Sequence, residues 1–308
     1  MFKKMLVPLD GSKLAASALP TALFMAKATD GLILLLRVPV YQKTRLPEKV
    51  TAVYNRLRPP EEKQWVQQRV KRYLKSVRQL ALGQEINFEV LVVDGDPASV
   101  IVDTAESEEI DLIIMSTHGR GGLVRWWLGS VTEKVLRATN RPILIVRSEA
   151  LPTRTLVTLD GSAAAEEALA PAQTMARLFG TPLTLLRVLE PLEADEEDEA
   201  DNETDLPAAE IAELSDQVMQ ARREEAATYL ADMKTGLAVT EEMVVETAVV
   251  EGPPAPTILN FIEENQIDLI VMSSHGQSAA ARWAYGSVTE KVIHAAEQSV
   301  LVVRPTKL

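Results

Sequence analysis

The sequence predicts an α/β protein: two tandem, doubly wound domains, each a five-stranded parallel sheet flanked by helices. Three observations carry this expectation. Short, nearly continuous apolar runs alternate with segments of helical periodicity, as parallel strands covered on both faces require. The whole pattern occurs twice. The length, 308 residues, suits two domains of roughly 100–150 residues better than one.

The repeat is direct. Met5-Leu6-Val7-Pro8-Leu9-Asp10-Gly11-Ser12 returns as Thr155-Leu156-Val157-Thr158-Leu159-Asp160-Gly161-Ser162, an offset of 150. Asp111-Leu112-Ile113-Ile114-Met115-Ser116-Thr117-His118-Gly119 returns as Asp268-Leu269-Ile270-Val271-Met272-Ser273-Ser274-His275-Gly276, an offset of 157, and Gly129-Ser130 returns as Gly286-Ser287 at the same offset. The second copy therefore holds seven extra residues, inside a stretch that includes the acidic run 193–205. A like-charge block of this kind reads first as a solvated loop, ahead of an interaction arm. The expected domains are 1–150 and 151–308, with the insertion around 190–207.

In copy one, strands are expected at 4–9, 32–38, 88–93, 111–115 and 143–146. Ser12 is placed to cap a helix over 15–27, and Asp96-Pro97 opens another with proline at its first position. Pro59-Pro60 marks a loop before an exposed amphipathic helix over 61–82, rich in Arg, Lys and Gln. Ser130-Val131-Thr132-Glu133 has the form of a capping box, repeated at Ser287-Val288-Thr289-Glu290.

The formal charge of −12 and pI near 4.9 argue against a nucleic-acid partner, which needs a basic footprint. With no cysteine, disulfides, thiolate metal sites and cysteine nucleophiles drop out together. No apolar run approaches the roughly 20 residues of a membrane span, and the first residues lack a signal-peptide pattern. The expectation is a soluble, cytoplasmic protein with no membrane partner.

Ligands of open parallel sheets bind beyond the carboxyl ends of strands where strand order reverses. Asp10, Val38 and the loop from Ser116 stand at such ends. Asp10 can accept hydrogen bonds from an adenine amino group or a ribose hydroxyl, or simply open the turn. Ser116-Thr117-His118-Gly119-Arg120-Gly121-Gly122 carries three glycines that let amides approach an anion, and Gly129-Ser130 starts a helix whose free amides and dipole favour phosphate. The same features also serve as ordinary turns and caps.

Arg120 and Arg125 are more plausible phosphate contacts than His118. His118 and His275 lack a partner at metal-ligand spacing, and His294 completes the histidines, so a loop-stabilising or ligand-contacting role is expected and no metal site. Trp126-Trp127, echoed by Trp283 and Tyr285, reads as packing of the loop onto its domain. There is no Gly-x-x-x-x-Gly-Lys-Ser/Thr, no complete Gly-x-Gly-x-x-Gly and no Gly-x-Ser-x-Gly. No general base stands beside a nucleophile, so no catalytic residue is assigned.

Together, Val7 to Ser12, Met115 to Gly122, Gly129 to Val135 and the final strand around 141–147 resemble the universal stress protein family, once per copy. The resemblance implies a Rossmann-like, adenine nucleotide alpha hydrolase-like fold and the motif Gly, two residues, Gly, nine residues, Gly-Ser/Thr. Gly119, Gly129 and Ser130 match its later elements, as do Gly276, Gly286 and Ser287; Ser116 and Ser273 replace the first glycine.

By that resemblance the ligand is ATP or another adenine nucleotide, with Mg²⁺ as a companion ion. Asp10 and Val38 would hold the adenine and ribose, and Gly119, Gly129 and Ser130 the phosphates. Pro8, Leu9, Met115, Ser116, His118, Arg120, Val131 and Thr132 complete the first set. Leu159, Asp160, Val188, Met272, Ser273, Gly276, Gly286, Ser287, Val288 and Thr289 form the second. Copy two loses Arg120 and two glycines to Gln277-Ser278-Ala279-Ala280, which ranks its site second.

The family resemblance further implies that strands 143–146 and 300–303 pair the copies as an intramolecular pseudo-dimer, with a homodimer as a further option. The expected function is a nucleotide-binding regulatory or protective stress protein with at most slow ATP hydrolysis. The alternatives are a nucleotide-free interaction or chaperone-like module and, more weakly, an ATP-cleaving enzyme.

Overall fold

A computed structural model describes residues 1–39, 68, 70, 72, 73, 77, 86–117, 128–191, 208–237, 243–276 and 285–305. The chain divides into two compact units. Unit 1 takes the described residues up to Leu151, with Tyr285 and Glu297–Arg304; unit 2 takes residues 152–276 and Gly286–Ala296.

Unit 1 runs β1 (Lys4–Pro8), α1 (Lys13–Ala16), α2 (Leu19–Thr29), β2 (Leu32–Arg37), β3 (Asn87–Val92), α3 (Pro97–Ser107), β4 (Leu112–Ser116), α4 (Ser130–Ala138) and β5 (Ile143–Val146). Its strands lie parallel in the order β3-β2-β1-β4-β5. Met5, Leu6 and Val7 are all fully buried, as are Leu112, Ile113 and Ile114. Burial of successive residues, which point to opposite faces, means that both faces of the sheet are covered.

Unit 2 repeats the plan with β6 (Thr155–Thr158), α5 (Ala163–Glu166), α6 (Leu169–Phe179), β7 (Leu183–Leu189), α7 (Ala208–Gly236), β8 (Val245–Glu251), α8 (Pro254–Glu264), β9 (Leu269–Ser273) and α9 (Ser287–Ala295). Its strands are parallel in the order β9-β6-β7-β8. A last strand, β10 (Ser299–Val303), joins unit 1. Val300, Leu301 and Val302 pair antiparallel with Ile145, Leu144 and Ile143, the two segments that the family resemblance implies would pair.

The expected helix over 15–27 is two helices. Ser12 does cap the first, accepting from the Ala15 amide at 2.9 Å. Pro20 then sits in the first turn of α2, where a missing N–H is no loss. In one continuous helix its ring would meet the carbonyl of Ala16. Copy two breaks in the same place, between α5 and α6, with Pro171 in the new first turn.

The capping boxes are also corrected. Gly129 and Gly286 are the N-caps of α4 and α9, neither helix has a side-chain cap bond, and Ser130 and Ser287 are the first helical residues. The Asp96 cap is as expected: its carboxylate accepts from the Ser99 amide, and Pro97 opens α3. Of the helix expected over 61–82 only Gln68, Val70, Arg72, Tyr73 and Val77 are described, all helical, with Val70 and Val77 buried. The acidic run 193–205 lies outside the described residues.

The aspartate that opens each Asp-Leu-Ile repeat fastens the amino ends of the strands. Asp111 Oδ2 accepts from the amides of Lys3 and Lys4 at 2.8 and 3.0 Å. Asp268 Oδ2 accepts from the Thr153 amide at 2.9 Å and from its hydroxyl. Among the described residues no helix is long and apolar enough to cross a membrane.

Candidate functional site

In unit 1 the chain winds one way from β1 through β2 to β3 and the other way from β4 to β5, so a crevice opens between the carboxyl ends of β1 and β4. The corresponding point in unit 2 lies between β6 and β9. A cavity of about 420 Å³ occupies the first crevice and one of about 530 Å³ the second, within the range of small-molecule sites.

The first cavity is lined by Pro8, Leu9 and Asp10 after β1, Val38 after β2, Met115 and Ser116 at the end of β4, and Gly129, Ser130, Val131 and Thr132 at the start of α4. Expected site residues His118, Gly119 and Arg120 lie outside the described residues, as do Arg125, Trp126, Trp127 and Trp283. The second cavity brings together Leu159, Asp160, Val188, Met272, Ser273, Gly276, Gly286, Ser287, Val288 and Thr289.

Both aspartates close a turn. Asp10 Oδ1 accepts from the Ser12 amide at 2.8 Å. Asp160 Oδ1 accepts from the Ser162 amide and hydroxyl at 2.9 and 2.6 Å. The turn requires glycine next: Gly11 and Gly161 hold φ of +83° and +87°. Turn-making and cavity-lining thus belong to one carboxylate.

In unit 2 the loop after β9 is described up to Gly276. Ser273 O accepts from the Thr289 hydroxyl at 2.9 Å, and Ser274 O from the Gly286 amide at 2.9 Å. These bonds draw the end of β9 onto the first turn of α9. A Cβ on Gly286 would lie 3.9 Å from the Gly276 nitrogen, so the nine-residue spacing closes into direct approach of two glycine backbones. A Cβ on Gly276 would collide with the Asp160 carboxylate.

The serines that replace the first glycine are engaged with the protein. Ser116 Oγ donates to Leu14 O at 2.6 Å, tying β4 to α1. Ser273 Oγ accepts from the His275 amide at 3.3 Å. His275 is 4% exposed, with Nδ1 2.8 Å from Ser274 Oγ and Nε2 buried without a hydrogen-bond partner among the described residues.

Sequence reasoning missed two cations. Arg187 and Arg222 line the second cavity. Arg187 packs against Gly161 and lies 4.9 Å from the centre of the Tyr229 ring. Arg222 reaches in from α7, its Nη1 donating to Glu190 O at 2.9 Å. The signal for Arg187 was present, an arginine inside an otherwise apolar strand beside Val188. Nothing in the repeat marked Arg222. Burial first, then neighbouring Glu166, pushes the Tyr229 phenol well above its usual range, and its hydroxyl donates to Glu166 Oε1 at 3.1 Å. The second cavity gathers both arginines, and at the first site Arg37 packs against Gly11 as Arg187 does against Gly161.

The Arg304 guanidinium lies 4.9 Å from the Tyr285 ring centre and also donates to Leu136 O at 2.6 Å, all three residues belonging to unit 1. Among the described residues there is no group of three His, Cys, Asp or Glu able to hold a metal ion.

The model of the universal stress protein family matches residues 1–147 and again 153–304. The universal stress protein YxiE of Bacillus subtilis is 30% identical over 153 residues, 48% of this chain and 100% of its own length. Universal stress protein Mb2028c of Mycobacterium bovis is 27% identical over 234 residues, 74% of this chain and 70% of its own. Among solved structures, a universal stress protein from Archaeoglobus fulgidus aligns over 99% of both chains with a TM-score of 0.64 at 22% identity, a likeness of fold. The twice-matched family model covers nearly the whole chain, which therefore belongs to the universal stress protein family as a tandem, two-domain member.

Proposed function

We propose that each cavity binds an adenine nucleotide, ATP foremost, as a regulatory or protective ligand of a cytoplasmic stress protein. The observation that carries this reading is the convergence, at both switch points, of an acidic turn, a helix start without a side-chain cap, and a strand end. The cavity residues fit such a ligand. The first-turn amides of α4 and α9 are donors for phosphate oxygens. Asp10 with Val38, and Asp160 with Val188, offer an acceptor beside an apolar wall for a base and its ribose. The buried Nε2 of His275 has no hydrogen-bond partner among the described residues, and a ligand atom can supply one.

Arg187 and Arg222 give the second site local positive charge against the net −12 of the chain, and Arg37 stands against Gly11 at the first site as Arg187 does against Gly161. Any Mg²⁺ would ride on the phosphate oxygens. His275 Nδ1 is occupied by Ser274, and no described histidine stands ready as a base beside a nucleophile, so hydrolysis is slow at most.

The test is to denature the purified protein, identify any released nucleotide by mass spectrometry, and titrate the stripped protein with ATP and Mg²⁺ by calorimetry. Two saturable sites, one of them weakened by Arg187→Met, are expected. No released nucleotide and no heat of binding would leave the nucleotide-free interaction module. Steady turnover abolished by Asp10→Ala and Asp160→Ala would favour the ATP-cleaving enzyme.

A further inference from the structure

Helix α7 is 29 residues long, yet from Glu210 to Glu225 none of its residues is buried; burial begins at Ala226 and Leu230. Three aliphatic side chains in that stretch face solvent: Ile211 is 46% exposed, Leu214 46% and Val218 47%. At about 100° per residue they fall within about 60° of arc, one narrow stripe. A helix is stabilised mainly by burying such a stripe, and here nothing in the chain's described residues covers it.

Along the turns that carry the stripe, before Arg222, the charge has one sign. Glu210 sits on its shoulder and Glu225 continues it one heptad past Val218, with Glu213 and Asp216 elsewhere on the same turns; all are exposed. No Lys, Arg or His occurs between Arg187 and Arg222 in the sequence, and the acidic run 193–205 immediately precedes the helix. The cations that follow are turned to the domain: Arg222 donates to Glu190 O, and Arg223 pairs with Glu251. A second copy of this chain would set carboxylates against carboxylates, and an anionic lipid surface would be repelled. A cationic partner is drawn in.

We propose that the N-terminal half of α7 is a docking surface for a cationic amphipathic helix of a partner protein, seated on the stripe Ile211, Leu214 and Val218. The partner's apolar face would cover the stripe, and its lysines or arginines would meet Glu210 and Glu225. The inference is independent of nucleotide binding.

The probe is a fluorescent peptide of leucine and lysine with all leucines on one helical face, compared by anisotropy with an isomer of the same composition whose leucines are scattered. The full chain should bind the amphipathic peptide at least about tenfold more tightly than the isomer. Ile211→Gln, Leu214→Gln and Val218→Gln together keep good helix formers in place and should abolish that preference. Glu210→Lys with Glu225→Lys should weaken binding of both peptides and flatten its salt dependence. ATP titration should be unaltered throughout. Equal affinity for the two peptides, or a preference that survives the triple substitution, overturns the proposal. So does sedimentation showing a homodimer dissolved by Leu214→Gln, which would make the occupant a second copy, or vesicle binding lost with it, which would make it a membrane.

Discussion

Replacing Gly276 by alanine is the most direct probe of how the second site is built. The Gly276 backbone lies outside the left-handed region, so alanine suffers no intrinsic strain there; the whole effect comes from its Cβ colliding with Asp160 Oδ2. To clear it, the carboxylate must swing away from the Ser162 amide and hydroxyl that Oδ1 now holds. Loss of these charge-assisted bonds, offset by rehydration of a partly exposed carboxylate, amounts to about 2 kcal/mol. Gly286→Ala makes a contrast, because its Cβ would find its nearest neighbour at 3.8 Å. There the entropic gain of alanine and its poorer N-capping nearly cancel, leaving stability within about 1 kcal/mol. Urea unfolding followed by circular dichroism, with calorimetric counting of ATP sites, separates the two. Gly276→Ala should lower the stability of unit 2 and abolish one site, while Gly286→Ala should weaken the site and spare stability. A Gly276→Ala protein as stable as the parent, with two intact sites, would refute the reasoning.

Further outcomes follow from other contacts. Ser116→Ala should lower the stability of unit 1 by about 1 kcal/mol in urea, through loss of the bond to Leu14 O, while first-site affinity is unchanged in a titration. Asp111→Ala strips two amides of their acceptor at the amino ends of the strands; a loss of about 2 kcal/mol with normal nucleotide affinity is expected. Tyr229 has its pKa raised from 10.0 in the folded state, so above pH about 10 the unfolded chain gives up that proton first and stability falls with rising pH. Tyr229→Phe should make the decline shallower, measured as urea midpoints from pH 9 to 11.

Much of this architecture is legible in the sequence because apolar run length and repeat spacing encode it. The strands at 32–38 and 143–146 needed only pattern, while the pairing of 143–146 with 300–303 came from the family resemblance. What pattern cannot carry is the competition between neighbouring groups. Ser12 announces a helix, but only the placement of Pro20 against Ala16 says where it must break. Ser130 has the composition of a cap, yet Gly129 takes the position and leaves the serine in the first turn. Ser116 and Ser273 read as replacements for a ligand-facing glycine; their bonds to Leu14 O and from the His275 amide could be found only by folding the chain. Arg222 enters the second cavity from a helix that lies far along the chain from the motifs, with nothing local to mark it.

The pairing of β5 with β10 has a consequence for how the protein is made. Ser299 follows Arg147 by 152 residues, yet its hydroxyl accepts from the Arg147 amide at the rim of the first unit's sheet. At about 5–20 residues per second the ribosome needs about 8–30 seconds to deliver that strand. Throughout that interval the nascent first domain presents Ile143–Val146, four buried aliphatic positions in the finished protein, as an unpaired sheet edge, the kind of edge that invites aggregation. Its last hydrogen bonds must await synthesis of β10, which makes this edge a natural client for chaperones and makes truncation before β10 harmful to the domain already translated.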